Sequence, residues 1–244
     1  AGSHISPVVW WIAAALTLMI AASTPWMLPR NLANQRNKRT ISWKADAQTI
    51  REVVLTGNGM AWLIASQVLF LLAYQIIIQF WQPLTENLSL NRVEGWMFGA
   101  TFVAILLAQS LASHHARVIR SLWSNLILSC LAITAIGAVY LSHTTQHWLA
   151  FSTTLCIVFY TLKRVVIALL AILHRKLPNR LWSTGESAVS TLMRVLFIVA
   201  LPGVGLAGEH HPDNLLLIVG ACMLAATLAL LFGARRLTHF ISPS

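Results

Sequence analysis

The sequence predicts an all-α, polytopic membrane protein with seven transmembrane helices. Three observations lead there. Of 244 residues, 57% are hydrophobic and only 10% are charged, against about 25% charged in a soluble domain. Mean hydropathy is +0.70, and the apolar residues gather into runs long enough to cross about 30 Å of hydrocarbon, which takes roughly 20 helical residues. Most of the basic residues fall in every second loop between those runs.

That third observation explains the charge balance. Seventeen Lys and Arg against seven acids give a net charge of +10. In a soluble chain this would suggest nucleic acid. Here the basic residues sit in short connections, so they report topology, the partner is the lipid bilayer, and no nucleic acid is expected. Cys130, Cys156 and Cys222 lie inside apolar runs without metal-ligand spacing. They read as small buried apolar residues rather than a disulfide framework, and no metal or cofactor is expected.

The first expected span, Val8 to Leu28, has no basic region before it and is long for a signal peptide. A polar, basic connection over 30–58 follows, with Arg30, Arg36, Lys38, Arg39, Lys44 and Arg51. Its part from Ala45 to Val54 reads either as a short interfacial amphipathic helix or as flexible linker. The next spans run from Met60 to Trp81, Gly95 to Ala112 and Leu122 to Leu141. The fifth lies within His147 to Pro178, with Trp148 at one end and His174, Arg175 and Lys176 at the other. Ser183 to Leu206 and Leu215 to Gly233 complete the set, ahead of a tail at 237–244. Trp residues cluster near span ends, with Trp81 read as an interface anchor.

Loop charges then set the orientation. Arg117 and Arg120, then Arg175, Lys176 and Arg180, then Arg235 and Arg236 mark basic loops. The loops at Ser142 to Gln146 and Gly208 to Asp213 carry no Lys or Arg. The positive-inside rule places the basic set, and the C-terminus, in the cytoplasm. Seven spans then put the N-terminus outside, which is expected to reflect further helices upstream; five more would make twelve.

Several stretches resemble the major facilitator superfamily of secondary transporters. Tyr74-Gln75-Ile76-Ile77-Ile78-Gln79-Phe80-Trp81-Gln82-Pro83, then Leu84, Glu86 and Gly95, resembles the family's seventh helix running into its eighth. Leu173 to Arg180 followed by Ser187 resembles the loop between helices ten and eleven. Arg194 followed by Leu201-Pro202-Gly203-Val204-Gly205-Leu206 is similar to helix eleven and its outer end. The later copy of the family's short gating loop departs from the pattern: Ser113-His114-His115-Ala116-Arg117-Val118-Ile119-Arg120 keeps basic residues but lacks the Gly and Asp. The resemblance implies that 1–29 is the last helix of an N-terminal half, 30–58 a cytoplasmic linker, and 59–236 a six-helix C-terminal bundle. It also implies a partner bundle, upstream or on another chain, since such transporters rock two bundles around a midplane site.

Candidate site residues are the polar ones inside spans. Lys163 and Arg164 lie near the middle of theirs, with Lys163 roughly 20 Å along the axis from Lys176. A charge at that depth normally faces a bundle interior or a watery cavity; the alternative is structural pairing or snorkelling. Adjacent helical positions diverge by about 100°, so one of the two is expected to face the cavity. Arg194 lies at a similar depth, and the three suggest a positively charged hollow. Gln75 and Gln79, one turn apart with Gln67 extending their face, offer amides to a solute or to neighbouring helices, and Tyr74 adds aromatic surface. Gln109 and Asn125 read as interhelical glue. None of the acids lies mid-span, and the histidines fall in loops or at span ends. A metal at Glu209, His210, His211 and Asp213 is weighed against a solvated loop, which the lack of helical spacing favours.

The expected function is that of a secondary active transporter, or part of one, in the inner membrane. It moves a small organic anionic or zwitterionic solute by alternating access, with export favoured. The alternative is a non-transporting scaffold or regulatory subunit that keeps the half-fold. An enzyme is not expected, because no nucleophile–base, metal or paired-acid set lies within the spans.

Overall fold

The computed structural model describes residues 59–88, 95–116, 121–177, 182–211 and 213–238. The expected first span, the basic connection and the tail beyond 238 lie outside them. Six helices are found: α1 Met60–Asn87, α2 Gly95–His115, α3 Leu122–Thr144, α4 Trp148–Lys176, α5 Trp182–His210 and α6 Asp213–Thr238. No strand occurs among the described residues. All six helices are long and apolar enough to cross a membrane, the architecture of a membrane-embedded protein.

Local sequence accounts for where the helices start and how they continue. Gly59 precedes α1 with φ 92° and ψ −7°, left-handed backbone that glycine adopts without a steric penalty. Ser121 caps α3, its side chain accepting from the Ser124 amide and meeting one of the free N–H groups of the first turn. Hydroxyls within the spans turn back on their own helices: Thr85 donates to the Trp81 carbonyl, Ser129 to Asn125, Thr161 to Ile157 and Thr227 to Met223. Such bonds let polar residues sit among apolar ones at little cost. Helix α1 continues through Pro83 and α5 through Pro202. Helix α1 outruns the expected span end at Trp81 because a chain that leaves the helix within lipid leaves several backbone groups unmet, whereas a proline removes a single donor; Pro202 already lay inside the expected Ser183 to Leu206 span.

The packing has a centre and a margin. Helix α1 packs on α6, α6 on α3, α3 on α4, and α4 back on α1, closing a four-helix ring. Phe70, Ile76, Phe151, Leu155, Phe159, Leu162, Met223 and Leu230 fill it and are fully buried. Helix α2 lies outside α4, and α5 lies against α1 with a lighter contact to α6. About half of the membrane-crossing stretch of α1 and α4 is buried (50% and 56%), against 17% of α2 and 11% of α5. The last two are therefore peripheral.

Contacts at the two ends show that the helices run alternately up and down. One end brings the start of α1 to the end of α6 through Trp62 and Phe232, 5.4 Å between ring centroids. It also brings His174 onto Trp182, stacked at 5.3 Å. The other end joins Trp96 to Trp148 edge-on at 5.8 Å. It also joins His143 to Asp213 at 2.6 Å.

Two expectations about individual residues are revised. Trp81 is 6% exposed and stacks on Phe102 at 6.1 Å, so it packs the α1–α2 contact instead of anchoring at an interface. Cys130 is exposed on α3, and only Cys156 and Cys222 are partly buried; an apolar run does not reveal which of its faces turns outward.

Candidate functional site

The cations within the spans and the polar residues around them fall into three groups, each where a ring helix meets a peripheral one or its ring neighbour. The first is between α1 and α4. The Lys163 ammonium lies 5.7 Å from the centroid of the Tyr74 ring, within range for a cation–π attraction. Tyr74 packs edge-on against Phe159 at 5.8 Å and donates its hydroxyl hydrogen to Gln109 Oε1 at 2.9 Å. One turn pair closer to Met60, buried Gln67 donates to the Val166 carbonyl at 3.2 Å. Gln109 and Gln67 thus tie helices together.

The second group is between α2 and α4. Arg164 donates from Nη1 to the Tyr160 hydroxyl at 2.9 Å, and His115 Nδ1 lies 2.9 Å from the same oxygen. The spacing of Tyr160 and Arg164, four residues apart on one helix, makes them neighbours. The Arg164 Nε is buried and has no acceptor. Helix α2 ends at His115, about 9 Å of helix beyond Gln109, while α4 continues roughly 18 Å past Arg164. Arg164 therefore stands beside the end of α2, and on that side it is shallower than its distance from Lys176 implies.

The third group is a groove between α1 and α5 of about 350 Å³ lined by Gln75, Ser190, Met193, Arg194, Phe197 and Ile198. Proline at 202 has no N–H, so the carbonyl of Ile198, four residues earlier, loses its helical donor beside this groove. Arg194 supplies five donors and no acceptor. The groove offers a cation, with the Gln75 and Ser190 side chains as polar neighbours.

Of the expected site residues, Gln75 and Arg194 are brought together, and so are Tyr74 and Lys163. Gln79 is exposed, and Gln67 turns to α4, away from Gln75. Lys163 and Arg164 diverge onto different partners, as adjacent helical positions must. Asn125 donates to the Ser121 carbonyl at 3.1 Å, bracing the start of its own helix instead of bridging to another. No carboxylate forms an ion pair with Lys163, Arg164 or Arg194 among the described residues: the pairs found are His143–Asp213 and His174–Glu186, the latter at 3.7 Å. No group of three or more His, Cys, Asp or Glu able to hold a metal occurs among those residues, and Asp213 turns to His143.

Five participants escape a reading of the sequence. Ser190 and Phe197 look like ordinary span residues, and only the groove singles them out. The four-residue spacing of Tyr160 and Arg164 is a usable signal, but nothing local points from either to His115, which is 45 positions away. His143 and Asp213 are 70 apart and meet only because α3 and α6 pack together.

No family model, curated protein or solved structure matches the chain.

Proposed function

We propose that this chain is part of a secondary active transporter of the major-facilitator type, working by alternating access in the inner membrane with its C-terminus in the cytoplasm. Its solute is a small organic anion or zwitterion, and export is the favoured direction. The observation that carries this reading is a set of span-embedded cations with no carboxylate paired to them among the described residues, one of them opening on a groove. A Lys or Arg at mid-span costs about 2.5–3.5 kcal/mol even on the most lenient scale, against a total stability of roughly 5–15 kcal/mol. A single cation at that depth would use a large part of that margin. Tyr74 and Tyr160 offset part of the cost, and water or an arriving anion is the natural source of the rest.

The α1–α5 groove suits an anion or zwitterion, with Arg194 facing a carboxylate and the Gln75 and Ser190 side chains offering hydrogen bonds. Loosely packed α5 is the natural moving wall, since elements that rearrange come from the weakly held part of a fold. A second bundle, upstream or on another chain, completes the enclosure. No catalytic step is assigned to the chain.

The test is solute flux through the complete transporter in proteoliposomes. Arg194→Gln, Lys163→Ala and Arg164→Ala are each expected to lower kcat/KM for an anionic or zwitterionic solute by at least about tenfold, the loss that follows from removing a charged hydrogen-bond donor. Folding and insertion should be retained. Wild-type flux in all three variants would sink the cationic site. Unaltered binding of a partner bundle with no flux at all would favour a non-transporting scaffold.

A further inference from the structure

Along α5 the α1–α5 groove passes from polar to apolar. We infer that it takes an amphipathic organic anion: an acid group joined to an apolar body about as large as a hexyl or phenyl group. This rests on the transport reading above and narrows its solute to that class.

Helical spacing sets the layout of the α5 wall. Ser190 and Arg194 are four residues apart and share a face, and Phe197 and Ile198 follow one turn later. From Ser190 to Ile198 the wall runs about 12 Å along the axis. An acid group held at Arg194 therefore has Phe197 and Ile198 about 4.5–6 Å further along, with Met193 beside it and the Gln75 amide across on α1. The groove volume of about 350 Å³ is near the lower end for small-molecule sites, roughly 300–1,000 Å³, which suits one compact apolar body and no more.

Both parts of the groove lack a partner. The Gln75, Ser190 and Arg194 side chains make no hydrogen bond or ion pair among the described residues. Thr161 and Thr227 turn back on their own helices; Ser190 does not. A few polar groups converging on a concavity are what orients a ligand. No carboxylate lines the groove to receive an ammonium, so an anion matches it better than a zwitterion. The apolar part is held from behind. Met193 packs on the cluster of Met60, Val68, Leu173, Leu177 and Val189, and Phe197 packs on the main core. Both stay partly open, and Ile198, 68% exposed, forms the rim. A charge at the depth of Arg194 draws water into its surroundings. An apolar body that displaces this water from Met193 and Phe197 gains about three- to fourfold in affinity per buried methylene; a wholly polar anion gains nothing there.

Propanesulfonate and hexanesulfonate are suitable probes. They share one acid group, differ by three methylenes, and stay ionised, so they do not leak through lipid as neutral acids. Their affinities would be compared by ligand-observed nuclear magnetic resonance, with the full chain in phosphatidylcholine nanodiscs. We expect hexanesulfonate to bind about thirty- to sixtyfold tighter, three methylenes at about three- to fourfold each. Met193→Ala combined with Phe197→Ala should cut that preference about tenfold and leave propanesulfonate unchanged. Arg194→Gln should weaken both anions about tenfold and keep the preference, and Arg194→Lys should restore both. Circular dichroism and gel filtration would check that each variant folds. Equal affinity of the two anions in the wild type would overturn the proposal. So would an unchanged preference in the double variant, since the bilayer would then be its source. Loss of hexanesulfonate binding when phosphatidylglycerol is added as a minor component would overturn it too, with a lipid as the occupant. Flux of propanesulfonate alone through the complete transporter would reject the amphipathic class and leave transport standing. The expected binding with no flux of either anion would uphold the groove assignment and sink transport.

Discussion

Helices α4 and α5 are both 29 residues long, both carry cations in mid-span, and are held in opposite ways. Helix α4 belongs to the ring, and its cations are held by neighbours: Lys163 over Tyr74, Arg164 on Tyr160. Helix α5 is peripheral, and Arg194 is exposed along a groove. Composition does not separate the two helices; the number of packed neighbours does. The two helices thus place cations on a firmly held wall and on a loosely held one.

The contrast can be broken most sharply through the core. Phe159 is fully buried on α4, whereas Val199 on α5 is 74% exposed. Phe159→Ala should destabilise the protein by about 3 kcal/mol, through both lost contacts and the cavity left behind. Val199→Ala should change stability by less than about 0.5 kcal/mol. Unfolding in a mixed-detergent titration measures both, and equal losses would erase the distinction between ring and margin.

A smaller effect is expected where the ring closes. Gly59 holds a left-handed conformation, and its carbonyl accepts from the Leu63 amide at 3.1 Å. An alanine Cβ is disfavoured there by roughly 1–2 kcal/mol, so Gly59→Ala should lower the unfolding midpoint and loosen the α1–α6 contact near Trp62. Hydrogen exchange in the first turn of α1 would register it.

The smallest effect should come from the α1–α2 link. Tyr74→Phe removes the hydroxyl bonded to Gln109 and keeps the ring beneath Lys163. Polar bonds between membrane helices average about 0.6 kcal/mol, so the loss should be of that order. A much larger loss would mean that α2 is held by this bond and not by packing against α4.

How far the molecule is legible in its sequence varies by level. Five of the expected spans reappear with small shifts, and the fifth-drawn span matches α4 almost to the residue, because length and apolarity alone decide whether a segment can cross lipid. The span end at Trp81 falls short of the helix end at Asn87, although Pro83 lies between, because a membrane favours continuing a helix, and the one at Leu206 falls short of His210. The site was legible only residue by residue. That Lys163, Arg164 and Arg194 are unusual follows from their depth. That they serve three separate environments does not, because a shared level along the axis says nothing about which neighbour each faces. Gln67 and Gln75, two turns apart, were drawn on one face, yet eight residues at about 100° each leave them roughly 80° apart, enough to aim one at α4 and the other at α5.

Composition and spacing by themselves determined that the described chain is helical, that its six helices can cross a membrane, and that a few cations sit where charge is costly. Those are properties of single segments, set by local transfer energies. Only the tertiary structure decided which helices form the ring, that α5 stays at its edge, and that His115 reaches a tyrosine on another helix. In apolar helices nearly every face is hydrophobic, so periodicity carries little information about neighbours, and close packing between helices makes that choice.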